Sequence, residues 1–301
     1  MANVLEKGSL FPTELTHELI NQVRGKSSLA RLSGAMPLSF NGNTIFTFSL
    51  DKEADLVAES GPKSNGGGTI GSKSVQPFKI EYGMRVSDEF LYASEEAQLD
   101  ILRAFSDGFA RKMARAIDIT GMHGLNPRTA QAAQVLSGLS LDELITGANI
   151  ITAGANANAD VIAAIAAVEA GEHDVTGLAI APTFRSSLAA LTKGADSYEP
   201  LFPTLAWGGS DVSEINGLAT DVNSTVAFGG SKDLAIVGNF ADYFRWGIAR
   251  EIPVTVLRYG CPDNDQEAGD LAGHNQVYIR AEAYIGFAVL DPTAFAKIVS
   301  E

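Results

Sequence analysis

The spacing of apolar residues changes along the chain, and each change marks a different kind of element. From residue 78, Phe78, Ile80, Tyr82, Met84 and Val86 alternate with Lys79, Glu81, Gly83 and Arg85. That period of two predicts a strand with one face buried. From Ser94 the period lengthens: Leu102, Phe105, Phe109, Met113 and Ile117 recur at steps of three and four, which predicts an amphipathic helix over about 94–120. Glu95 and Glu96 in its first turn, and Arg111, Lys112 and Arg115 towards its end, suit the helix dipole, and Gly121 is placed to stop it. At a rise of 1.5 Å per residue such a helix runs roughly 40 Å, longer than most, and reads as a spine.

Before the strand, residues 1–35 predict an arm: a short helix carries Leu15, Leu19 and Val23 on one side, and the small, basic stretch "RGKSSLARLSG" follows. "MPLSF" and "TIFTF" flank Asn41-Gly42-Asn43, a local hairpin signal because Asn and Gly tolerate positive φ. The run "DKEADLVAESGPKSNGGGTIGSKSV" is polar, rich in glycine and poor in anything that could fill a core. It is expected to form the tip of a two-stranded extended loop over 36–84, with the strand from 78 to 86 as one side. A two-stranded ribbon is marginal alone in water, so it should lean on another body such as a neighbouring subunit.

A domain boundary is expected within the weakly periodic stretch 125–157. Beyond it, a helix "VIAAIAAVEAG" capped by Asp160, a buried strand "TGLAIAP" and a helix "FRSSLAALTKG" capped by Thr183 predict a compact α/β unit. "INGLATDV" and "TVAFGGSKDLAIVGNF" add strands. "YFRWGIAREIPVTVLRYG" and "HNQVYIRAEAYIGFAVL" predict two long strands that flank an acidic loop, 261–273, and pair beside the spine helix. No repeat of fixed period is present.

Composition narrows the function. The 301 residues are 46% hydrophobic, as in a folded, soluble protein, and 36 acidic against 22 basic side chains leave a net charge of −14. Such a surface repels nucleic acid and anionic lipid, which disfavours a sequence-reading or histone-like role. No apolar run approaches the roughly 20 residues of a membrane helix. The N-terminal residues lack the pattern of a signal peptide, so the cytoplasm is the expected compartment. A single cysteine, Cys261, agrees with a reducing environment.

The chain offers little chemistry. Gly66, Gly68 and Gly71 satisfy G-x-G-x-x-G on paper, but the chain leaves them into a strand, and a phosphate loop needs a helix N-terminus there. The loop "DNDQEAGDLAGH" starts like a calcium loop, yet Ala268 stands where the turning glycine is needed and His274 where the bidentate glutamate is. His17, His123, His173 and His274 are scattered without metal-ligand spacing, and nothing around Cys261 argues a lowered pKa. No catalytic, cofactor or metal residue is therefore expected. Arg24, Lys26 and Arg31 make the arm basic within an acidic protein, which points to contacts with acidic surfaces on neighbouring subunits.

The order of elements, with "DLVAESGPKS", "VSDEFLYAS", "GLAIAPTFRSSLAALTKGADSYEPLF", "GNFADYFRWGIAREIPVTV" and "VYIRAEAYIGFAVLDPTAF" in sequence, resembles the major capsid proteins of tailed bacteriophages, with the α+β Hong Kong 97 fold. The resemblance spans nearly the whole chain. It implies an N-terminal arm (1–35), an extended loop (36–84), a peripheral domain on the spine helix (85–137 and 233–290) and an axial domain (138–232 and 291–301). It implies a non-enzymatic protein without cofactor that assembles with itself, through pentamers and hexamers, into an icosahedral shell around double-stranded DNA. Portal, scaffolding or decoration proteins are the implied partners, and the implied location is the virion after assembly in the host cytoplasm. This chain begins directly at the arm, so a scaffolding function is expected from a separate protein or a segment outside the sequence. Some relatives join a loop lysine covalently to a neighbouring asparagine with help from a glutamate. On that pattern Lys63 and Lys73 near the tip, and Asn264, Asn275 and Glu267 between the long strands, are the candidates, alongside Arg24 and Arg31 as contact residues. Two alternatives stand beside this reading: an encapsulin-type nanocompartment of the same fold, and an α/β enzyme using residues 160–240.

Overall fold

A computed structural model describes residues 27–50, 52–92, 95–194, 197–208, 212–250, 254–265 and 267–301. The expected arm helix, with Arg24, Lys26 and His17, lies outside them. The described chain begins with a short helix α1 (Ser28–Leu32) and a two-residue strand β1 (Gly34–Ala35). β2 (Asn43–Leu50) and β3 (Gly68–Val75) then pair antiparallel into a separate ribbon, from Asn43 opposite Val75 to Leu50 opposite Gly68. The ribbon is thus closed by β3, inside the glycine-rich stretch, and the alternating strand β4 (Phe78–Ser87) belongs elsewhere. No hairpin forms across Asn41-Gly42-Asn43. Gly42 closes a turn onto Ser39, while the chain before it follows β10 (Phe244–Arg250), to which β1 pairs in parallel.

The long strand β12 (Gln276–Val289) organises a five-stranded sheet. Along one edge it pairs with β4 over ten residues, Gln276 opposite Ser87 to Ile285 opposite Phe78. The other edge is shared by β10 and β11 (Val254–Leu257), as the two apolar stretches around the acidic loop predict. Across the inner face of this sheet lies helix α2 (Glu95–His123). Its stripe of Leu102, Phe105, Phe109, Met113 and Ile117 packs with Val277, Ile279, Ala281, Ala283 and Ile285 in one buried cluster. The helix does not stop at Gly121. That residue is a packing glycine, since a Cβ there would stand 2.6 Å from Leu29 Cδ1 and 3.3 Å from Phe244 Cζ. The stop is Gly124, whose φ of 66° a side chain would resist and whose N–H bonds Thr120 O.

After α3 (Leu141–Leu144) and β5 (Ile150–Thr152) come α4 (Ala157–Glu169), β6 (Gly177–Ile180) and α5 (Pro182–Ala189), the predicted α/β unit. The caps differ from expectation. Asn156 caps α4, freeing Asp160 to accept Gly154 N, and α5 starts one residue before Thr183, with proline at its first position. β7 (Glu214–Ile215) and β8 (Leu218–Val222) make a hairpin on Asn216-Gly217, both at positive φ. With β9 (Asp233–Gly238) and β13 (Phe295–Val299) they complete a six-stranded sheet, order β5-β13-β9-β6-β8-β7; α6 (Phe240–Tyr243) leads from it into β10. The sheet's central strands β6, β9 and β13 are buried on both faces. Ala179 and Ile236 face the spine-helix cluster, and Leu178, Ile180, Ala235 and Val237 face a second cluster under α4 and α5. Strands covered on both sides read as continuous apolar runs, which is why "GLAI" and "LAIV" lack alternation.

Candidate assembly surfaces

The ribbon separates two faces by register. Residues directly opposite in an antiparallel pair point the same way, so Phe46, Phe48, Leu50 and Ile70 share one face, while Ile45 and Lys73 share the other with Thr47 and Thr69. The four apolar side chains are 68–73% exposed. At the root the opposite face is covered instead: Val75 is fully buried and packs with Leu38, Ala288 and Ile45. Gly68 and Gly71 lie in the strand, so the glycines form no loop opening a helix. Lys63 is exposed between the two strands, and Lys52 Nζ there donates to Asn65 O at 3.2 Å.

The acidic loop before β12 is organised from β4. Arg85 donates through Nε and Nη2 to both oxygens of Asp263 at 2.6 and 2.7 Å. Its remaining N–H groups reach Ala268 O, Gly269 O and Gln276 Oε1. The Arg85 guanidinium holds the Asp263 carboxyl well below the usual carboxylate range. Asp265 accepts the backbone N–H of Glu267 and Ala268, and Asn264 and Asn275 adopt left-handed conformations that turn the loop. Asp263, Asp265 and Asp270 are thus spent on the turn itself. Cys261 Sγ donates to Asp265 O at 3.1 Å.

The crosslink candidates are not brought together within one chain. Asn275 immediately precedes β12, whereas the ribbon root meets that strand at Gly286, where a Cβ would stand 3.3 Å from Val75. Ten residues of strand separate the two places, roughly 30 Å. Arg31 is engaged inside its own chain, donating from Nη1 to Asp221 Oδ1 at 2.6 Å.

Residue-pattern reasoning missed Asp118. This carboxylate projects from α2 into the core and is fully buried. It accepts from Ser27 Oγ, from the backbone N–H of Ser28 and Leu29, from Asn223 Nδ2 and from Thr225 Oγ1. The spine helix thereby holds the first turn of α1. Burial pushes Asp118 up to about 6, against the opposing pull of these donors. The available signal was an acidic residue in "AIDITGM", where the flanking positions carry no other charge and are apolar apart from Thr120. The described histidines stay apart: His173 bonds Thr293 Oγ1 and His274 bonds Asp270 O, both far in sequence from His123 at the end of α2. No helix of the described residues is long and apolar enough to cross a membrane.

Solved structures share this architecture. A chain from Mycobacterium phage Ogopogo matches with a TM-score of 0.77 at 29% identity over 92% of both chains. One from Gordonia phage Cozz matches with a TM-score of 0.72 at 24% identity, covering 92% of this chain and 87% of that one. A chain from the capsid of a native GTA particle computed with C5 symmetry matches at a TM-score of 0.61 and 12% identity, over 100% of this chain and 94% of its own. The last two show the fold alone, which is the α+β fold of Hong Kong 97-type capsids. No curated protein sequence matches the chain. A family model described as the phage capsid family covers residues 7–300, and the chain belongs to that family.

Proposed function

We propose that the chain is the wall subunit of a phage head, a major capsid protein whose copies close through pentamers and hexamers into an icosahedral shell around double-stranded DNA. Family membership favours this over a nanocompartment or an enzyme. The observation that carries the mechanism is the ribbon: Phe46, Phe48, Leu50 and Ile70 form an apolar face with nothing of the described chain upon it. Burying such side chains is worth about 1.5–3 kcal/mol each before the costs of association. A neighbouring copy is the surface that a symmetric assembly always supplies. Function is then association rather than turnover.

In this reading residues 1–35 are the arm, 36–84 the loop, whose ribbon is β2 and β3 and whose last residues, from Phe78, run in the β12 sheet, 85–137 with 233–290 the peripheral domain, and 138–232 with 291–301 the axial domain. Arg24 belongs to a basic arm that meets acidic surfaces of neighbouring copies, Arg31 at its end being taken up by Asp221 of its own chain, and Lys63 and Lys73 belong to the ribbon that overlies the next subunit. Asn264, Asn275 and Glu267 are its candidate neighbours. A net charge of −14 suits a wall that encloses DNA without gripping it. Portal, scaffolding and decoration proteins complete the particle, which assembles in the host cytoplasm.

Size exclusion followed by negative-stain electron microscopy of the excluded fraction tests the proposal. Closed shells are expected, and a lone monomer or dimer that melts higher with a small ligand would point to the enzyme reading instead. Denaturing electrophoresis of the shells reads the lysine–asparagine contact: a single band at monomer mass means that it is noncovalent.

A further inference from the structure

The end of the spine helix meets the six-stranded sheet through four ionisable side chains that the shell reading does not use. His123 closes α2, Asp142 lies on α3, Asp233 opens β9 and Lys297 is on β13. The His123 side chain is 1% exposed and that of Asp233 3%. His123 Nδ1 stands 2.6 Å from Asp142 Oδ2, and Nε2 stands 2.9 Å from Thr225 O. A backbone carbonyl can only accept, and an ionised carboxylate can only accept, so both ring nitrogens must carry hydrogen. With Asp142 held as a carboxylate by the Lys297 ammonium, the geometry calls for an imidazolium. Lys297 Nζ lies 2.8 Å from Asp142 Oδ1 and 3.6 Å from Asp233 Oδ1. Asp233 Oδ2 is buried with no hydrogen bond and faces His123 Nδ1 at 3.5 Å.

We propose that His123, Asp142, Asp233 and Lys297 form a proton-held latch that ties the end of the spine helix to the six-stranded sheet, closed when His123 is charged and loosened when it is neutral. Loss of one proton turns an N–H donor into a lone pair facing either Thr225 O or Asp142, on a ring whose side chain is itself buried. One of the two contacts must then open. The latch also reaches the arm, because Thr225 bonds Asp118 through its hydroxyl while its carbonyl bonds His123.

Titration agrees with the geometry. Burial opposes charge on His123, but the hydrogen bond and charge of Asp142, with Thr225 O and Asp233, raise it above the ordinary imidazole value. Burial, then the hydrogen bond and charge of Asp142, push Asp233 up to about 6. For Asp142 burial again favours the neutral form, yet His123, Asp233 and Lys297 together hold it well below the carboxylate range. Both raised groups keep a proton that the unfolded chain releases. Their stabilisation is complete at low pH and is lost as pH rises through about 6 for Asp233 and above 6.5 for His123. Asp118, one and a half turns back on the same helix and raised to about 6, adds the same sign, so the test must isolate His123.

Three ligand atoms, from His123, Asp142 and Asp233, lie within 4.8 Å of one another, as a metal set would. A direct 2.6 Å contact leaves no room for an ion between imidazole and carboxylate, and the Lys297 ammonium already serves as their cation. Protons, not a metal, are the ligand.

Hydrogen exchange by mass spectrometry on the full-length chain, at several pH values from 6 to 9 and corrected for intrinsic rates, reads the latch at residues 116–123. Protection in the wild type is expected to fall at least about tenfold across that range, because a proton held only by the closed form changes the opening equilibrium about tenfold for every decade of proton concentration. His123→Asn, which keeps one donor and cannot be charged, should flatten the profile. Asp233→Asn, which removes one of the charges that hold the His123 proton, should move the loss of protection to lower pH and remains informative if the histidine variant folds poorly. Added Zn²⁺ should change nothing. A wild-type profile already flat, a His123→Asn variant that keeps the wild-type slope, an Asp233→Asn midpoint that does not move, or Zn²⁺-dependent protection lost in His123→Asn would each overturn the proposal.

Discussion

Two antiparallel strand pairs of similar length meet opposite fates in this molecule. β4 pairs with β12 over ten residues and β2 pairs with β3 over eight. In each pair one strand, β4 or β2, alternates apolar with polar side chains. In the first pair Phe78, Ile80 and Val86 pack on the spine-helix cluster and Tyr82 meets Phe105, leaving Tyr82 and Met84 partly exposed, and β12 is buried nearly throughout. In the second, Phe46, Phe48, Leu50 and Ile70 face outward. Alternation states that one face wants covering, and only the rest of the chain decides whether the cover comes from the same molecule. Where it does not, the pattern marks an interface.

That contrast can be broken from the supported side first. Phe109→Ala removes a side chain 1% exposed beneath the sheet and should cost the folded subunit about 3–5 kcal/mol, measured by chemical denaturation. Asp118→Ala leaves five donors without their acceptor and should cost about 2–4 kcal/mol, with α1 losing protection first in hydrogen exchange. Gly83→Ala sets a methyl against Tyr278, whose hydroxyl would lie 2.2 Å from it, and should cost about 1–3 kcal/mol. Gly66, between the ribbon strands, has nothing within 4 Å of such a methyl, so Gly66→Ala should leave the melting temperature unchanged. The smallest effect on the subunit is the most informative. Phe46→Ser with Phe48→Ser should move subunit stability by no more than about 0.5 kcal/mol per site while shell yield collapses under the electron microscope. Equal losses of fold and assembly would mean that the ribbon is part of the core.

Much of this is legible in the chain. The spine helix announces itself because five apolar residues at helical steps can be read without knowing their partner, and β12 does so because its run is long. The ribbon's partner strand is misplaced by pattern alone because β3, "GTIGSKSV", carries Ile70 as its one large apolar residue before Val75; local patterning cannot reveal a strand whose cover is another molecule. Gly121 reads as a stop because glycine commonly ends helices, while its actual role depends on Leu29, distant in sequence. The buried network of Asp118, Thr225, His123 and Asp142 is invisible for the same reason. Its members are separated by up to about a hundred residues, and a polar residue in an apolar segment signals only that some partner must exist.

The sequence by itself determined the elements that rest on local periodicity, the acidic balance of the surface and the absence of a recognisable catalytic spacing. Tertiary structure alone decided which strands share an edge, which glycines are steric necessities and which charged groups are shut away together. Periodicity is written into neighbouring residues, whereas pairing and burial depend on parts of the chain that meet only after it has folded.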